Sequence, residues 1–359
     1  MKVGYLLAVA SAVVASPIGS IEDYVHNMER RGKPPHLCPD DDGGLGVSLV
    51  SVLLTCLGSI TERDFGNLKF YVQHAAAAYC NMNSKAGDLI KCKGSCPGIE
   101  GDKATISSSF LGSWTGIGGY VAVDHARREI VLALRGSNNL RNFITDLLFA
   151  WQSCDLVSEC KVHTGFAKAW EEIADAATRG INAARSSHRD YKVVIAGHSL
   201  GGAVATLACA YLRRQGIAAD VYTFGSPRVG NDHFANWMTS QPGGQWRVTH
   251  RDDPVPRLPP IFFGYRHISP EYWLAGGAMD QNDYPISDVR FCDGIANTGC
   301  NGGTFGLNII SHLHYLGETA GCAPFPINWK RDHQDVSNEE LEQRLNEWSQ
   351  KDQDFVNHN

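Results

Sequence analysis

The feature that most constrains the fold of this chain is a short motif between an apolar strand and an apolar helix. The segment Lys192–Ala196 is a continuous apolar run typical of a buried strand, and a helix is predicted from Leu200 to about Arg214. The residues between them, 197–201 (GHSLG), match G-x-S-x-G. In that context the glycines allow a tight turn that lifts the serine hydroxyl to the sheet edge, at a helix N-terminus that favours negative charge. The motif predicts Ser199 as a nucleophile and the Leu200 N–H as an oxyanion donor.

Strands and helices alternate over most of the chain. Two further helices are predicted at Tyr71–Tyr79 and Phe166–Ala184, and four further strands at Gly119–Val123, Glu129–Arg135, Asp220–Phe224 and Trp246–Thr249. The first two strands are expected to form a hairpin. Apolar strands that alternate with helices predict one α/β domain over residues 64–323, with a mostly parallel central sheet and helices on both faces.

A serine nucleophile of this architecture is followed along the chain by an acid and then by a histidine. Asp252 and Asp253 both follow the predicted strand Trp246–Thr249, and sequence position alone does not separate them. His312 and His314 lie near the end of the domain. Only one of the two histidines is expected to be catalytic, and the other is expected to be a surface or core histidine.

The N-terminal residues are typical of a secretory signal. Lys2 precedes a short apolar run at Val3–Val14, which is too short to anchor the chain in a bilayer. We predict a signal peptide at residues 1–15 and a propeptide at 16–63. An alternative for 32–58 is an intron read as protein, since Gly-Lys at 32–33 can be encoded by a splice-donor sequence.

The 11 cysteines of a secreted chain are expected to form disulfides. Three close pairs are candidates for local disulfides: Cys92 with Cys96, Cys154 with Cys160, and Cys292 with Cys300. Cys80 and Cys322 bracket the predicted domain and could join its ends. Cys209 lies in an apolar helical run and is predicted to be a free buried thiol, while Cys38 and Cys56 fall in the predicted propeptide. No paired C-x-x-C spacing is present, so no metal site is predicted.

The charge of the chain is concentrated at its C-terminal end. Residues 332–359 hold eight acidic and two basic side chains, which accounts for the whole net charge of −6. The rest of the chain is neutral, so nucleic acid is not an expected partner. Leu341, Leu345 and Trp348 form one stripe of an acidic helix, which either is solvated or docks on an apolar face until it is trimmed. We treat 324–359 as an acidic C-terminal extension.

A second apolar stripe follows the strand that ends at Arg135. It consists of Leu140, Phe143, Ile144, Leu147 and Leu148, at the spacing of one face of a helix, with polar residues between them. Such a stripe usually marks a helix packed on the core. Trp151, just beyond it, is a candidate contact with an apolar surface.

Several motifs together resemble the class 3 fungal lipases of the Rhizomucor and Thermomyces type, and most closely the secreted triacylglycerol lipases of Fusarium-type fungi. They are 197–203, Asp253–Pro259 (DPVPRLP), 135–137 (RGS), 162–166 (VHTGF), 226–231 (SPRVGN) and 269–273 (SPEYW), in order between about Phe65 and Cys322. The resemblance implies an α/β-hydrolase fold with a short amphipathic helical lid. It selects Asp253 and His312 for the triad, adds Ser137 as the second oxyanion donor, and makes 140–148 the lid.

The resemblance therefore implies a secreted triacylglycerol lipase that uses a Ser-His-Asp acyl-enzyme mechanism at an oil–water interface, without a cofactor. Its expected partner is lipid at an oil–water or membrane surface, with no transmembrane anchor and no obligate protein partner. The alternatives are a phospholipase A or a feruloyl-type esterase on the same fold. A non-catalytic binding protein is a third alternative, which the complete set of Ser199, Asp253 and His312 argues against.

Overall fold

The computed structural model describes residues 60–137, 139–145, 149–321 and 336–358. Ten strands occur in these ranges: β1 (Thr105–Leu111), β2 (Gly118–Asp124), β3 (Glu129–Leu134), β4 (Trp151–Ser153), β5 (Lys161–His163), β6 (Lys192–His198), β7 (Ala219–Phe224), β8 (Gln245–His250), β9 (Glu271–Leu274) and β10 (Val289–Cys292). The eight α-helices are α1 (Glu62–Asn81), α2 (Pro97–Asp102), α3 (Leu140–Thr145), α4 (Thr164–Ser187), α5 (Leu200–Arg214), α6 (Asp232–Ser240), α7 (Ile309–Leu313) and α8 (Asn338–His358).

Eight of the strands form one sheet in the order β1-β2-β3-β6-β7-β8-β9-β10. The five strands from β3 to β9 in this order run parallel, while β1, β2 and β10 pair antiparallel with their neighbours. Because the parallel strands all end at one edge, the residues that follow them gather there. The predicted hairpin of β2 and β3 is confirmed, with Gly119 opposite Leu134.

The central strands are buried on both faces, which explains their continuous apolar runs. On β6, Val193 and Ile195 pack with α4 and α5, whereas Val194 and Ala196 pack with α1. This alternation follows from the two-residue period of a strand. Helices thus cover both faces of the sheet, as predicted.

Helix α1 begins at Glu62, two residues before the predicted domain boundary at Asp64. The Thr61 hydroxyl accepts the Asp64 N–H at 3.0 Å and so caps the helix, and Ile60 is buried against it. A chain that began at Asp64 would lack this cap, which typically contributes about 1 kcal/mol. The predicted signal peptide and almost all of the propeptide, with Cys38 and Cys56, lie outside the described residues.

Three of the four expected disulfides are present: Cys92–Cys96, Cys154–Cys160 and Cys292–Cys300. Cys80 is also disulfide-bonded, but Cys322 lies outside the described residues, so that pairing stays a prediction. Cys209 is a free buried thiol, as predicted. Glu100 lies beside Cys92 and Cys96 in a group with metal-ligand spacing, but the disulfide occupies both sulfurs, so these residues do not offer thiolates to a metal.

The acidic C-terminal segment forms the long helix α8, and its apolar stripe docks on the domain. Leu341 and Leu345 are almost fully buried against Leu140 and Ile144 of α3, together with Val255 and Leu258. The docked alternative for this helix is therefore confirmed. No described helix is long and apolar enough to cross a membrane.

Candidate active site

The predicted nucleophile lies in a strained turn between β6 and α5. Ser199 has φ +58° and ψ −129°. Residues other than glycine rarely adopt this backbone conformation, and strained residues of this kind are frequent in active sites. A Cβ on Gly197 would come within 2.2 Å of the Gly201 carbonyl, so this turn requires glycine. Leu200 is the first residue of α5, where backbone N–H groups have no partner within the helix. The local geometry is that of a nucleophile elbow.

A buried carboxylate and a histidine meet at the same edge of the sheet. Asp253 follows β8 and is fully buried, and its Oδ2 accepts the Nδ1–H of His312 at 2.8 Å. The Tyr315 hydroxyl donates to the same oxygen, and the Val255 N–H donates to Oδ1 at 2.9 Å. Burial raises the pKa of Tyr315 well above its usual value, and the nearby Asp253 carboxylate raises it further. The phenol therefore keeps its proton and acts as a donor. Because the carboxylate accepts the Nδ1–H, the neutral tautomer that this contact selects leaves Nε2 as the acceptor.

The structure separates the candidates that the sequence left adjacent. Asp252 accepts hydrogen bonds from the Asn308 amide at 2.8 Å and the Ser311 hydroxyl at 3.0 Å, and His314 contacts Asn282 at the surface. Neither reaches the Asp253–His312 pair by a hydrogen bond among the described contacts.

Two buried atoms of this site have no hydrogen-bond partner within the described part of the chain. They are the Ser199 hydroxyl and His312 Nε2. The His312 ring packs against His198, the residue before Ser199, with ring centroids 4.6 Å apart. A hydroxyl and an unprotonated imidazole nitrogen are a donor and an acceptor, and a serine-based site needs this complementary pair.

The end of β3 brings the predicted oxyanion residue next to the elbow. A Cβ on Gly136 would come within 2.7 Å of the Ser199 Cβ, so only glycine permits this approach. The Arg135 guanidinium donates to the Gly136 carbonyl at 2.8 Å and also to the Gly116 carbonyl. The Ser137 hydroxyl accepts the Asn139 N–H at 3.1 Å, just before α3. Ser137 thus directly follows the residue that approaches Ser199, and Leu200 directly follows Ser199 in the chain.

Sequence reasoning missed a buried hydrogen-bond chain behind the site. The Tyr79 hydroxyl lies 2.9 Å from His198 Nδ1, and His198 Nε2 lies 2.8 Å from the His312 carbonyl. The carbonyl only accepts, so Nε2 donates and Nδ1 accepts from Tyr79. Burial lowers the pKa of His198 well below its usual value, which keeps the ring neutral. The Tyr79 hydroxyl also lies next to Gly136. These hydrogen bonds therefore connect the end of β3 with the backbone of His312, the catalytic candidate.

We expect Tyr79→Phe to lower kcat about tenfold with little change in KM, because one buried hydrogen bond contributes roughly 1 kcal/mol and its loss frees the His198 ring to shift. Initial rates on a soluble short-chain ester would measure this. Tyr120→Phe is the matched control. The Tyr120 hydroxyl forms a similar buried hydrogen bond, 2.8 Å long, with His74 Nδ1, and this bond does not involve the site residues. An equal loss of kcat in both variants would show that the Tyr79–His198 hydrogen bond affects activity only through the stability of the fold.

The predicted lid residues that the structure describes cover an apolar face. Leu140 and Ile144 are buried, and Phe143 packs against Phe166 with ring centroids 6.4 Å apart. Leu147 and Leu148 lie outside the described residues. Trp151 is half-buried and stacks on Tyr265 with ring centroids 3.8 Å apart, so its ring is held by the protein.

Known proteins that resemble this chain are lipases. The class 3 lipase family model matches residues 131–263, which include Ser199 and Asp253. A secreted mono- and diacylglycerol lipase of Fusarium solani is 49% identical over 352 residues, covering 98% of this chain and 97% of its own length. The crystal structure of the mono- and diacylglycerol lipase of Aspergillus oryzae matches with a TM-score of 0.68 and 39% identity, over 71% of this chain and 97% of that one.

A further solved structure matches with a TM-score of 0.63 and 30% identity, over 74% of this chain and 98% of that one. It is a triacylglycerol lipase in which a serine protease triad forms the catalytic centre. The predicted family, α/β-hydrolase fold and enzyme class are confirmed. This chain belongs to the class 3 lipases and is a secreted carboxylic ester hydrolase.

Proposed function

We propose that the enzyme hydrolyses acylglycerols at an oil–water surface with Ser199, His312 and Asp253 as its catalytic triad. The observation that carries this proposal is the buried Asp253–His312 pair, whose free Nε2 complements the unpartnered hydroxyl of Ser199. No other described serine combines a strained elbow with such a pair. The names of the relatives do not favour the phospholipase or feruloyl-esterase alternatives.

In the proposed reaction His312 Nε2 takes the Ser199 proton while the serine oxygen attacks the ester carbonyl. Asp253 holds the ring and stabilises the imidazolium that forms. The N–H groups of Leu200 and Ser137 receive the developing oxyanion, and each such donor typically contributes about 10²–10³ in rate. His312 then protonates the leaving alcohol, and water releases the acyl group by the reverse steps.

We propose that helix α3 belongs to the lid of this site, and that Leu147 and Leu148, which lie outside the described residues, belong to the same lid. The buried face of α3 packs on Val255 and Leu258, which follow Asp253 in the chain, and on helix α8. The hydroxyl of Ser137 is bound to Asn139 at the start of this segment, so lid movement would release it toward the substrate. The proposed lid has a closed state and an open state, and only the open state exposes the apolar face. A lipid surface that binds this exposed face would shift the equilibrium towards the open state.

For the substrate we propose neutral acylglycerols. The family resemblance implies triacylglycerol, and the names of the Fusarium and Aspergillus relatives support di- and monoacylglycerol as well. We retain residues 1–15 as the proposed signal peptide and 16–63 as the proposed propeptide.

The test measures the rate of hydrolysis while the concentration of each ester is raised through its solubility limit. Emulsified tri- and diacylglycerol are compared with a soluble short-chain ester at equal enzyme concentration. The expected result is a sharp rise in rate once droplets appear, abolished by Ser199→Ala. Saturation below the limit with little activity on droplets would mean a soluble-ester esterase, and α3 would then be an ordinary core helix.

A further inference from the structure

The most exposed large apolar side chain among the described residues is Trp114, in the loop between β1 and β2. Trp114 is 94% exposed, whereas the other exposed large apolar residues are less than half exposed. A tryptophan that does not pack against the protein leaves a large apolar surface in contact with water, which is unfavourable. We propose that Trp114 is a fixed anchor that inserts into the surface of uncharged lipid, separate from the lid. The proposal rests on the proposed function, since the lipid is the substrate phase itself.

The loop that carries Trp114 is braced by one carboxylate from α4. Glu172 accepts the N–H groups of Trp114 at 2.8 Å and Thr115 at 3.0 Å, the Thr115 hydroxyl at 2.5 Å, and the Ser113 hydroxyl at 3.3 Å. The Thr115 and Trp114 hydrogen bonds lower the pKa of Glu172 to about 2, so the carboxylate stays charged and bound. The backbone is therefore fixed while the indole points into solvent. Preorganisation of this kind reduces the ordering cost of insertion.

The braced loop lies at the active-site edge of the sheet. Phe110 pairs with Gly119, and Gly119 pairs with Leu134, the last residue of β3. Arg135 then donates to the Gly116 carbonyl of the loop and to the Gly136 carbonyl before Ser137. Trp114 is thus connected through one guanidinium to the proposed oxyanion strand. A surface that reached the active-site mouth would meet this loop.

The chemistry of the loop favours an uncharged lipid. Residues 111–117 (LGSWTGI) contain no charged side chain, and Leu111 adds a second half-exposed apolar group beside Trp114. Attraction to anionic headgroups depends on lysine and arginine near the surface. The loop instead offers an indole, which combines a large apolar area with one N–H donor and is enriched where apolar and polar phases meet.

The test measures binding to neutral triacylglycerol droplets by flotation, in the Ser199→Ala background so that the droplets stay intact. Trp114→Ala is expected to weaken binding by about tenfold to hundredfold, the loss expected from one large apolar side chain. Trp114→Phe should recover most of it. In the active enzyme, Trp114→Ala should leave kcat/KM on a soluble short-chain ester unchanged, because the indole does not contact the triad.

Leu89→Ala is the matched control. Leu89 is 45% exposed and bridges to Thr105 at the start of β1, which is the opposite edge of the sheet. Equal droplet binding with and without Trp114 would overturn the proposal, as would a parallel fall of activity on the soluble ester. A loss seen equally on anionic phospholipid vesicles would contradict the preference for uncharged lipid. If the parent enzyme neither binds droplets nor hydrolyses acylglycerols, the proposed function itself fails, which is a separate result.

Discussion

Replacing Asp253 by asparagine is expected to lower kcat by about 10⁴, the cost typical of a triad that loses its orienting carboxylate. In the native site Oδ2 accepts His312 Nδ1–H at 2.8 Å, and Oδ1 accepts the Val255 N–H. The amide of asparagine would present a donor toward His312 and favour the tautomer that carries its proton on Nε2. Such a ring cannot take a proton from Ser199. Single-turnover and steady-state rates on a soluble ester would measure the loss without interference from lipid binding.

Asp252→Asn is the matched control for this prediction. It makes the same chemical change one residue earlier, at a side chain that is 34% exposed and is bound to Asn308 and Ser311. Its kcat should stay within a few-fold of the parent value. Comparable losses in both variants, or an active Asp253→Asn enzyme with an intact fold, would remove Asp253 from the triad.

The elements that could be predicted from sequence are those whose apolar pattern is local. Strand β6 was predicted at Lys192–Ala196 and extends two residues further, and helix α5 was predicted at its observed bounds. Their signals come from apolar residues at periods set by a strand and a helix. The edge strands β1 and β10 carried no such signal, since β1 (TISSSFL) contains three serines and faces the core on one side only.

The buried polar contacts could not be predicted because their partners are distant in sequence. Strand β9 contains Glu271, which is buried and forms an ion pair with Arg247 of β8 at 3.0 Å, so β9 has no continuous apolar run. Tyr79 and His198 are 119 residues apart. Only the fold brings such residues together, and no spacing rule predicts the pairing.

The catalytic candidates lie between these two cases. Ser199 has a local signal in the elbow motif, whereas the choice between Asp252 and Asp253 depends on which side chain faces the interior after β8. Asp253 is fully buried and Asp252 is not. The family resemblance, which places the triad aspartate directly before the x-V-P-R-L-P segment, selected the same residue that the fold buries.

The docking of helix α8 depends on a charge pair that is buried on both sides. Asp352 accepts Arg228 Nη1 at 3.0 Å through Oδ2 and the Phe262 N–H at 3.0 Å through Oδ1, and both charged side chains are 2% exposed. Burial lowers the pKa of Arg228 because it disfavours the charged form, and the Asp352 carboxylate opposes this shift. The same arginine also donates to the Pro259 carbonyl at 2.9 Å, so it cannot turn away while the helix is docked.

We expect Asp352→Ala to destabilise the docked state of α8 by about 3–5 kcal/mol, because it leaves the Arg228 charge buried without a partner. Undocking would return Arg228 to water, so the helix should detach before the domain unfolds. Hydrogen exchange of residues 338–358 would show this as lost protection, and Leu140–Thr145 should lose protection as well, since Leu341 and Leu345 cover that helix. Asp354→Ala removes the same charge from an exposed position of α8 and should change neither segment. Unchanged protection in Asp352→Ala would mean that the apolar contacts alone hold the helix.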